Sequence, residues 1–184
     1  MKLLADFLGM GSIDPILCEN IQTWFDNQEH VEGRLGNGNV DKEIKDSRDF
    51  RLDNPDLYVP YMQELQRVLN EYIELYPRCN ETAPYSISDF PNIQRYDPPT
   101  GNFNFWHAER GISQYTANRH LVFMTYLNTI QDEGATEFLH QNLEVYPEKG
   151  ATLIWPADWT FTHKGAPVQE NYKYIVTGWF CFDF

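Results

Sequence analysis

The spacing of apolar residues in the first half of the chain predicts two helices. Asp14-Pro15 supplies an N-cap and a first-turn proline ahead of apolar positions that continue to Phe25. Asn54-Pro55 opens a longer helix that we expect to end near Tyr76, just before a proline. Apolar residues recur along it every three or four positions, so one face can lie on a sheet. The stripe comprises Tyr58, Met62, Leu65, Leu69, Tyr72 and Tyr76.

Between the two helices lies a stretch rich in glycine and asparagine, at positions 33–39. Such a composition suits either a hairpin turn or a mobile lid over a site, and the two readings are compatible. Positions 43–52 are expected to re-enter a sheet.

After position 86 the pattern changes to short runs of β-branched and aromatic residues, separated by proline and glycine turns. The predicted strands are 92–96, 103–109, 120–128, 136–140, 152–155 and 172–182. Many short strands of this kind predict a sheet that closes on itself, as in a jelly roll or barrel. We therefore expect a mainly β fold with flanking helices (α+β), in one domain over 1–184. Helical support would occupy about 12–78 and the jelly-roll core about 84–184.

Composition narrows the classes of function. The 184 residues carry a formal net charge of -13 and show no cluster of Lys and Arg, which argues against nucleic acid as a partner. No apolar run is long enough to cross a membrane, and the N-terminus is a poor signal peptide. Cys18, Cys79 and Cys181 lie far apart, so neither a disulfide framework nor a thiolate zinc site is indicated, and a cytoplasmic location is expected.

The candidate chemistry is in the C-terminal half, where His107, Glu109 and His163 precede Lys173. Two imidazoles and a carboxylate form the facial triad of non-haem iron(II) sites, which leaves three coordination positions open. On a strand, His107 and Glu109 would share one face. His163 would come from a distant strand, and Lys173 would add a fixed cation.

The surroundings of these residues resemble the prolyl 4-hydroxylases, a family of the 2-oxoglutarate/Fe(II)-dependent dioxygenase superfamily. The similarity is specific over Tyr96 to Trp179. Before Tyr96 the order of segments is merely compatible with that of the family. The matching segments are His163-Lys164-Gly165-Ala166-Pro167-Val168 with Lys173-Tyr174, Tyr126-Leu127-Asn128, Gly134-Ala135-Thr136-Glu137-Phe138, and Val145-Tyr146-Pro147-Glu148-Lys149-Gly150.

The resemblance implies a double-stranded β-helix (jelly roll, cupin-like) core and an enzyme that hydroxylates a C–H bond. The substrate would be a peptide or protein residue such as proline, or a small molecule. The implied cofactors are Fe(II), 2-oxoglutarate as co-substrate and O2, with ascorbate as a stimulant. His107, Glu109 and His163 would be the metal ligands and catalytic centre. Lys173, Tyr126, Tyr96, Thr177 and Trp179 would bind 2-oxoglutarate, and Asn104, Arg119 and Trp155 would face the substrate.

Two positions depart from the family pattern. Glu109 stands where an aspartate is usual, and Asn104 stands where the prolyl hydroxylases carry a tyrosine near the substrate. The resemblance therefore predicts the type of reaction more firmly than the substrate. Two other classes stay open: a cupin-like hydrolase, isomerase or lyase using zinc or manganese, and a catalytically silent binding module on the same fold.

Overall fold

The computed structural model describes residues 1–36 and 38–183, and over them the chain forms two sheets and two α-helices. The helices are α1 (Pro15–Asp26) and α2 (Pro55–Leu75). The strands are β1 (Lys2–Ala5), β2 (Leu8–Ser12), β3 (Val31–Glu32), β4 (Arg48–Arg51), β5 (Tyr85–Ser86), β6 (Asn92–Tyr96), β7 (Phe103–His107), β8 (Arg119–Tyr126), β9 (Thr136–Phe138), β10 (Leu143–Val145), β11 (Ala151–Pro156), β12 (His163–Gly165) and β13 (Lys173–Phe182).

The two sheets together form the predicted jelly roll. The large sheet runs β1-β2-β11-β8-β13-β6-β4-β3, with β5 paired to β13, and the small sheet runs β10-β9-β12-β7. Every pairing along them is antiparallel. Because side chains alternate along a strand, the central strands bury one face between the sheets and the other beneath the helices.

Both predicted helices are confirmed, and both begin as the sequence indicates. The side chains of Asp14 and Asn54 accept hydrogen bonds from Ile16 N and Asp56 N, which satisfies backbone donors at each first turn. The fully buried side of α2 is centred on Tyr61, Leu65, Val68, Leu69 and Tyr72. Three residues of the predicted stripe, Leu65, Leu69 and Tyr72, are in this buried face, and Tyr58, Met62 and Tyr76 are half-buried and pack against the same core.

The first strands were missed, because 2–12 read as an apolar segment with glycines rather than as a hairpin. These glycines are required by packing, since a Cβ at Gly11 would lie 2.7 Å from Val68 of α2. The large sheet thus begins before the range predicted for the core, and β3 and β4 extend it at the far edge.

The segment after β3 is a long connection rather than a tight hairpin turn. β3 pairs with β4, with Val31 opposite Asp49, so the described residues between them, 33–36 and 38–47, form a loop. Gly33 lies so close to Ser47 that a Cβ would come within 2.2 Å of its hydroxyl. Asn37, which belongs to the predicted stretch 33–39, is outside the described residues. Among the residues the structure describes, neither helix is long and apolar enough to span a membrane.

Candidate active site

Strand pairing in the small sheet brings the two predicted histidine ligands together. His107 ends β7 and His163 begins β12, and the two are paired across the ladder with ring centroids 4.4 Å apart. Glu109 Oε1 lies 3.7 Å from Nε2 of His107 and 3.6 Å from Nε2 of His163. One ligand atom from each of the three residues falls within 4.8 Å of the others. The prediction that Glu109 lies on the same strand as His107 was wrong, because β7 ends at His107 and Glu109 is on the following loop.

The hydrogen bonds of this cluster fix the tautomer of each histidine so that it can bind a divalent metal. Nδ1 of His107 lies 2.7 Å from Phe105 O, and Nδ1 of His163 lies 2.9 Å from Phe161 O. A carbonyl only accepts, so each Nδ1 donates and each Nε2 lone pair is free to face a metal. Burial lowers the pKa of His163, with the neighbouring His107 adding to the effect, which favours the neutral ligand form. Burial raises the pKa of Glu109, but the interactions with the two neighbouring histidines outweigh burial and hold that pKa well below the usual range.

The second oxygen of Glu109 is held by two donors from the large sheet. Arg119 Nη1 donates to Oε2 at 2.8 Å and to the Glu109 carbonyl at 3.0 Å. Trp179 Nε1 donates to the same Oε2 at 3.0 Å. Both residues line the cavity, and both donate these hydrogen bonds to Glu109. The predictions were that Arg119 faces the substrate and that Trp179 binds 2-oxoglutarate.

Lys173 is a buried cation without a counter-ion. It begins β13 opposite Tyr96 of β6, and its ammonium nitrogen lies 5.5 Å from the Tyr96 ring centroid and 5.6 Å from that of Tyr126. Over residues 1–36 and 38–183, no carboxylate oxygen lies within 4.0 Å of that nitrogen. Burial lowers the pKa of Lys173 to about 7.

The hydroxyl groups predicted to assist Lys173 are engaged with protein partners. Tyr126 donates to Thr136 Oγ1 at 2.7 Å and does not line the cavity. Tyr96 donates to Gln94 Oε1, and Thr177 donates to Phe123 O. Their roles toward 2-oxoglutarate therefore stay predictions. Within the described part of the chain, Lys173 is the polar group of this set without a hydrogen-bond or ion-pair partner.

A cavity of about 690 Å³ joins these groups. The three candidate ligands, Lys173 and Trp155 line it, together with parts of the loops at 34–36 and 108–116. Trp155 Nε1 is buried without a hydrogen-bond partner among the described residues. Asn104 is exposed and does not line the cavity, so the structure gives no support to its predicted contact with substrate.

A second buried lysine on the cavity wall was missed as a site feature. Lys45 Nζ lies 2.9 Å from Asp49 Oδ2, and this carboxylate also accepts from Ser47 and Asn92. The spacing of four residues between Lys45 and Asp49 was visible in the sequence, but the burial of the pair was not. Lys45 therefore has the counter-ion that Lys173 lacks.

Comparison with known proteins agrees with this geometry. The family model of the 2OG-Fe(II) oxygenase superfamily matches residues 91–181. Over 71 residues the chain is 32% identical to prolyl 4-hydroxylase subunit alpha-3 of Homo sapiens and of Mus musculus; this match covers 35% of the chain and 13% of either relative.

Solved structures with the same fold include prolyl hydroxylases. A viral collagen prolyl hydroxylase from Paramecium Bursaria Chlorella virus-1, in complex with 2OG, is 14% identical with a TM-score of 0.69, covering 97% of each chain. A prolyl hydroxylase from Trichoplax adhaerens, in complex with a hypoxia inducible factor peptide fragment, is 14% identical with a TM-score of 0.75, covering 96% of this chain and 84% of its own. A Pseudomonas putida prolyl-4-hydroxylase is 16% identical with a TM-score of 0.68, covering 97% and 94%. Residues 91–181 of the chain thus match the 2OG-Fe(II) oxygenase superfamily, and the chain is prolyl 4-hydroxylase-like in its sequence match and its fold.

Proposed function

We propose that the chain is an Fe(II)- and 2-oxoglutarate-dependent oxygenase that hydroxylates a C–H bond of a peptide or protein residue such as proline. The observation that carries this proposal is Lys173, an unpaired buried cation in the same cavity as His107, Glu109 and His163. An uncompensated buried charge is costly, so an anionic occupant that neutralises it is expected.

The three candidate ligands fit the metal. They offer two neutral imidazole nitrogens and one ionised carboxylate, the donor set of non-haem iron(II) oxygenases. Iron bound there, with 2-oxoglutarate and O2, would supply the oxidising chemistry and yield succinate and carbon dioxide. Ascorbate as a stimulant is part of the proposal.

Charge balance favours Lys173 over Lys45 as the partner of the far carboxylate of 2-oxoglutarate. Lys45 is already neutralised by Asp49, so a carboxylate beside it would leave one negative charge unbalanced. Lys173 has no such partner among the described residues, and it lines the same cavity as the three candidate ligands. The rings of Phe103 and Trp155 pack on His107 and His163, where they exclude water from the site.

A peptide substrate is supported by the apolar rim of the cavity. Phe105 and Ile112 line it and are 53% and 106% exposed, so they give the cavity an apolar rim that a peptide could cover. The Trichoplax adhaerens neighbour is a complex with a peptide fragment. A cytoplasmic location is part of the proposal and is supported by three free cysteines.

Succinate release from 2-oxoglutarate tests the proposal. The purified chain would be incubated with Fe(II), ascorbate and 2-oxoglutarate, alone and with proline-containing peptides or free amino acids. We expect peptide-stimulated succinate and a product 16 Da heavier, both absent in His163→Ala. Stimulation by free amino acids alone would contradict the peptide assignment, and no succinate under any condition would contradict the oxygenase.

A further inference from the structure

Glu109 differs from the other two candidate ligands in how its position is determined. His107 and His163 are on paired strands, whereas Glu109 is on a loop and has a longer, freer side chain than an aspartate. The local backbone therefore does not fix its carboxylate. What orients it comes from the opposite sheet.

The two oxygens of Glu109 have different surroundings because Arg119 and Trp179 both donate to the same one. Oε1 faces both histidine Nε2 atoms, and Oε2 accepts from Arg119 at 2.8 Å and Trp179 at 3.0 Å. Hydrogen bonds to a carboxylate are stronger than neutral ones, so turning Oε2 toward a metal would break two strong contacts.

The two donors also hold each other in place. The Arg119 guanidinium carbon lies 3.5 Å from the centroid of the Trp179 ring, a close cation–π contact. Arg119 is at the start of β8 and Trp179 is on β13, and these strands are paired neighbours in the large sheet. Donors on rigid strands orient a ligand more tightly than donors on a loop.

We infer that Arg119 and Trp179 are positioning residues that restrict Glu109 to binding the metal through one oxygen. The inference rests on the proposed function, because 2-oxoglutarate and O2 together need three open positions. A glutamate that used both oxygens would occupy one of them. The pair therefore protects the position that the co-substrate requires, rather than contacting the co-substrate itself.

Binding measurements on the full chain separate this role from a merely structural one. Mn(II) affinity would be measured alone, and 2-oxoglutarate affinity would then be measured on the Mn(II)-loaded protein by calorimetry. The variants are Arg119→Met and Trp179→Phe. Their matched controls, Arg67→Met and Trp159→Phe, change the same residue types outside the cavity.

We expect each variant to bind 2-oxoglutarate about tenfold more weakly, because this is the change in affinity that corresponds to the loss of one hydrogen bond to a charged group. Mn(II) affinity should stay the same or rise, because a freed carboxylate oxygen can join the metal and Arg119→Met also removes a nearby positive charge. The controls should match wild type. Unchanged 2-oxoglutarate affinity, or a parallel loss of metal affinity, 2-oxoglutarate affinity and melting temperature, would overturn the inference.

Failure of the proposed function would look different. If wild-type protein binds Mn(II) but not 2-oxoglutarate, the assignment of 2-oxoglutarate as co-substrate is contradicted. The positioning role is then tested by the absorption spectrum of the Co(II)-loaded protein, which reports the coordination of the metal. A spectrum that changes in Arg119→Met and Trp179→Phe, but not in the controls, supports the role. Identical spectra in all five proteins overturn it.

Discussion

Replacing Lys173 by methionine should make the free protein more stable while removing its affinity for 2-oxoglutarate. Burial lowers the pKa of Lys173 from 10.5 to about 7, so the folded protein holds this proton less tightly than the unfolded chain. At 1.36 kcal/mol per pKa unit, the buried lysine costs up to about 4 kcal/mol at pH 7. Methionine keeps most of the length of the side chain without the charge, so little packing is lost.

The sign and pH dependence of this effect are specific. A folded-state pKa below the unfolded value means that the unfolded chain binds more protons between pH 7 and pH 10.5, so wild-type stability gains with pH across that window. The advantage of Lys173→Met should therefore be largest at or below pH 7. It should shrink to about 2 kcal/mol at pH 9 and nearly vanish above pH 10.5.

Denaturant unfolding at several pH values, in the absence of metal and 2-oxoglutarate, measures the effect. Lys45→Met is the matched control, because it removes the other buried lysine and leaves Asp49 without its counter-ion. That control should be destabilised by roughly 3 kcal/mol, the opposite sign. A Lys173→Met protein less stable than wild type at pH 7, or a difference independent of pH, would refute the reasoning.

Three further predictions follow from the same structure. The affinity for 2-oxoglutarate should fall as pH rises above 7, by up to about tenfold per pH unit, because the bound carboxylate restores the charge on Lys173. Binding near pH 8 should therefore take up about one proton, which calorimetry in two buffers measures. Leu65→Ala, in the buried face of α2, should destabilise the protein by about 2–5 kcal/mol in denaturant unfolding. Tyr61→Phe should cost about 1 kcal/mol, because Tyr61 loses its 3.0 Å bond to Thr125 while Thr125 keeps its 2.8 Å bond to Thr152; no measurable change would show that this buried bond contributes nothing net.

The elements that could be predicted from the sequence are those with a strong local signal. The helices combine side-chain caps with apolar periodicity, and β6, β8 and β13 are rich in β-branched and aromatic residues. The hairpin of β1 and β2 could not be predicted in this way. Its glycines are explained only by the helix that packs across them, and that contact joins positions far apart in the chain.

The candidate site shows the same division. Residue type and order identified His107, Glu109, His163 and Lys173 as polar groups that lie at one cavity. Local pattern carried no information on which donor each of them meets. The contact from Trp179 to Glu109 spans 70 positions, and the burial that leaves Lys173 unpaired is a property of the closed sheets.

The central claim is that this cavity holds Fe(II) and 2-oxoglutarate together, and anaerobic absorption spectroscopy tests it most directly. Adding Fe(II) and then 2-oxoglutarate to the folded protein should produce a visible charge-transfer band. The band should be absent in His163→Ala and should need far more 2-oxoglutarate in Lys173→Met, and admitting O2 should discharge it with formation of succinate. Well-folded wild-type protein that gives neither a band nor succinate would contradict the account.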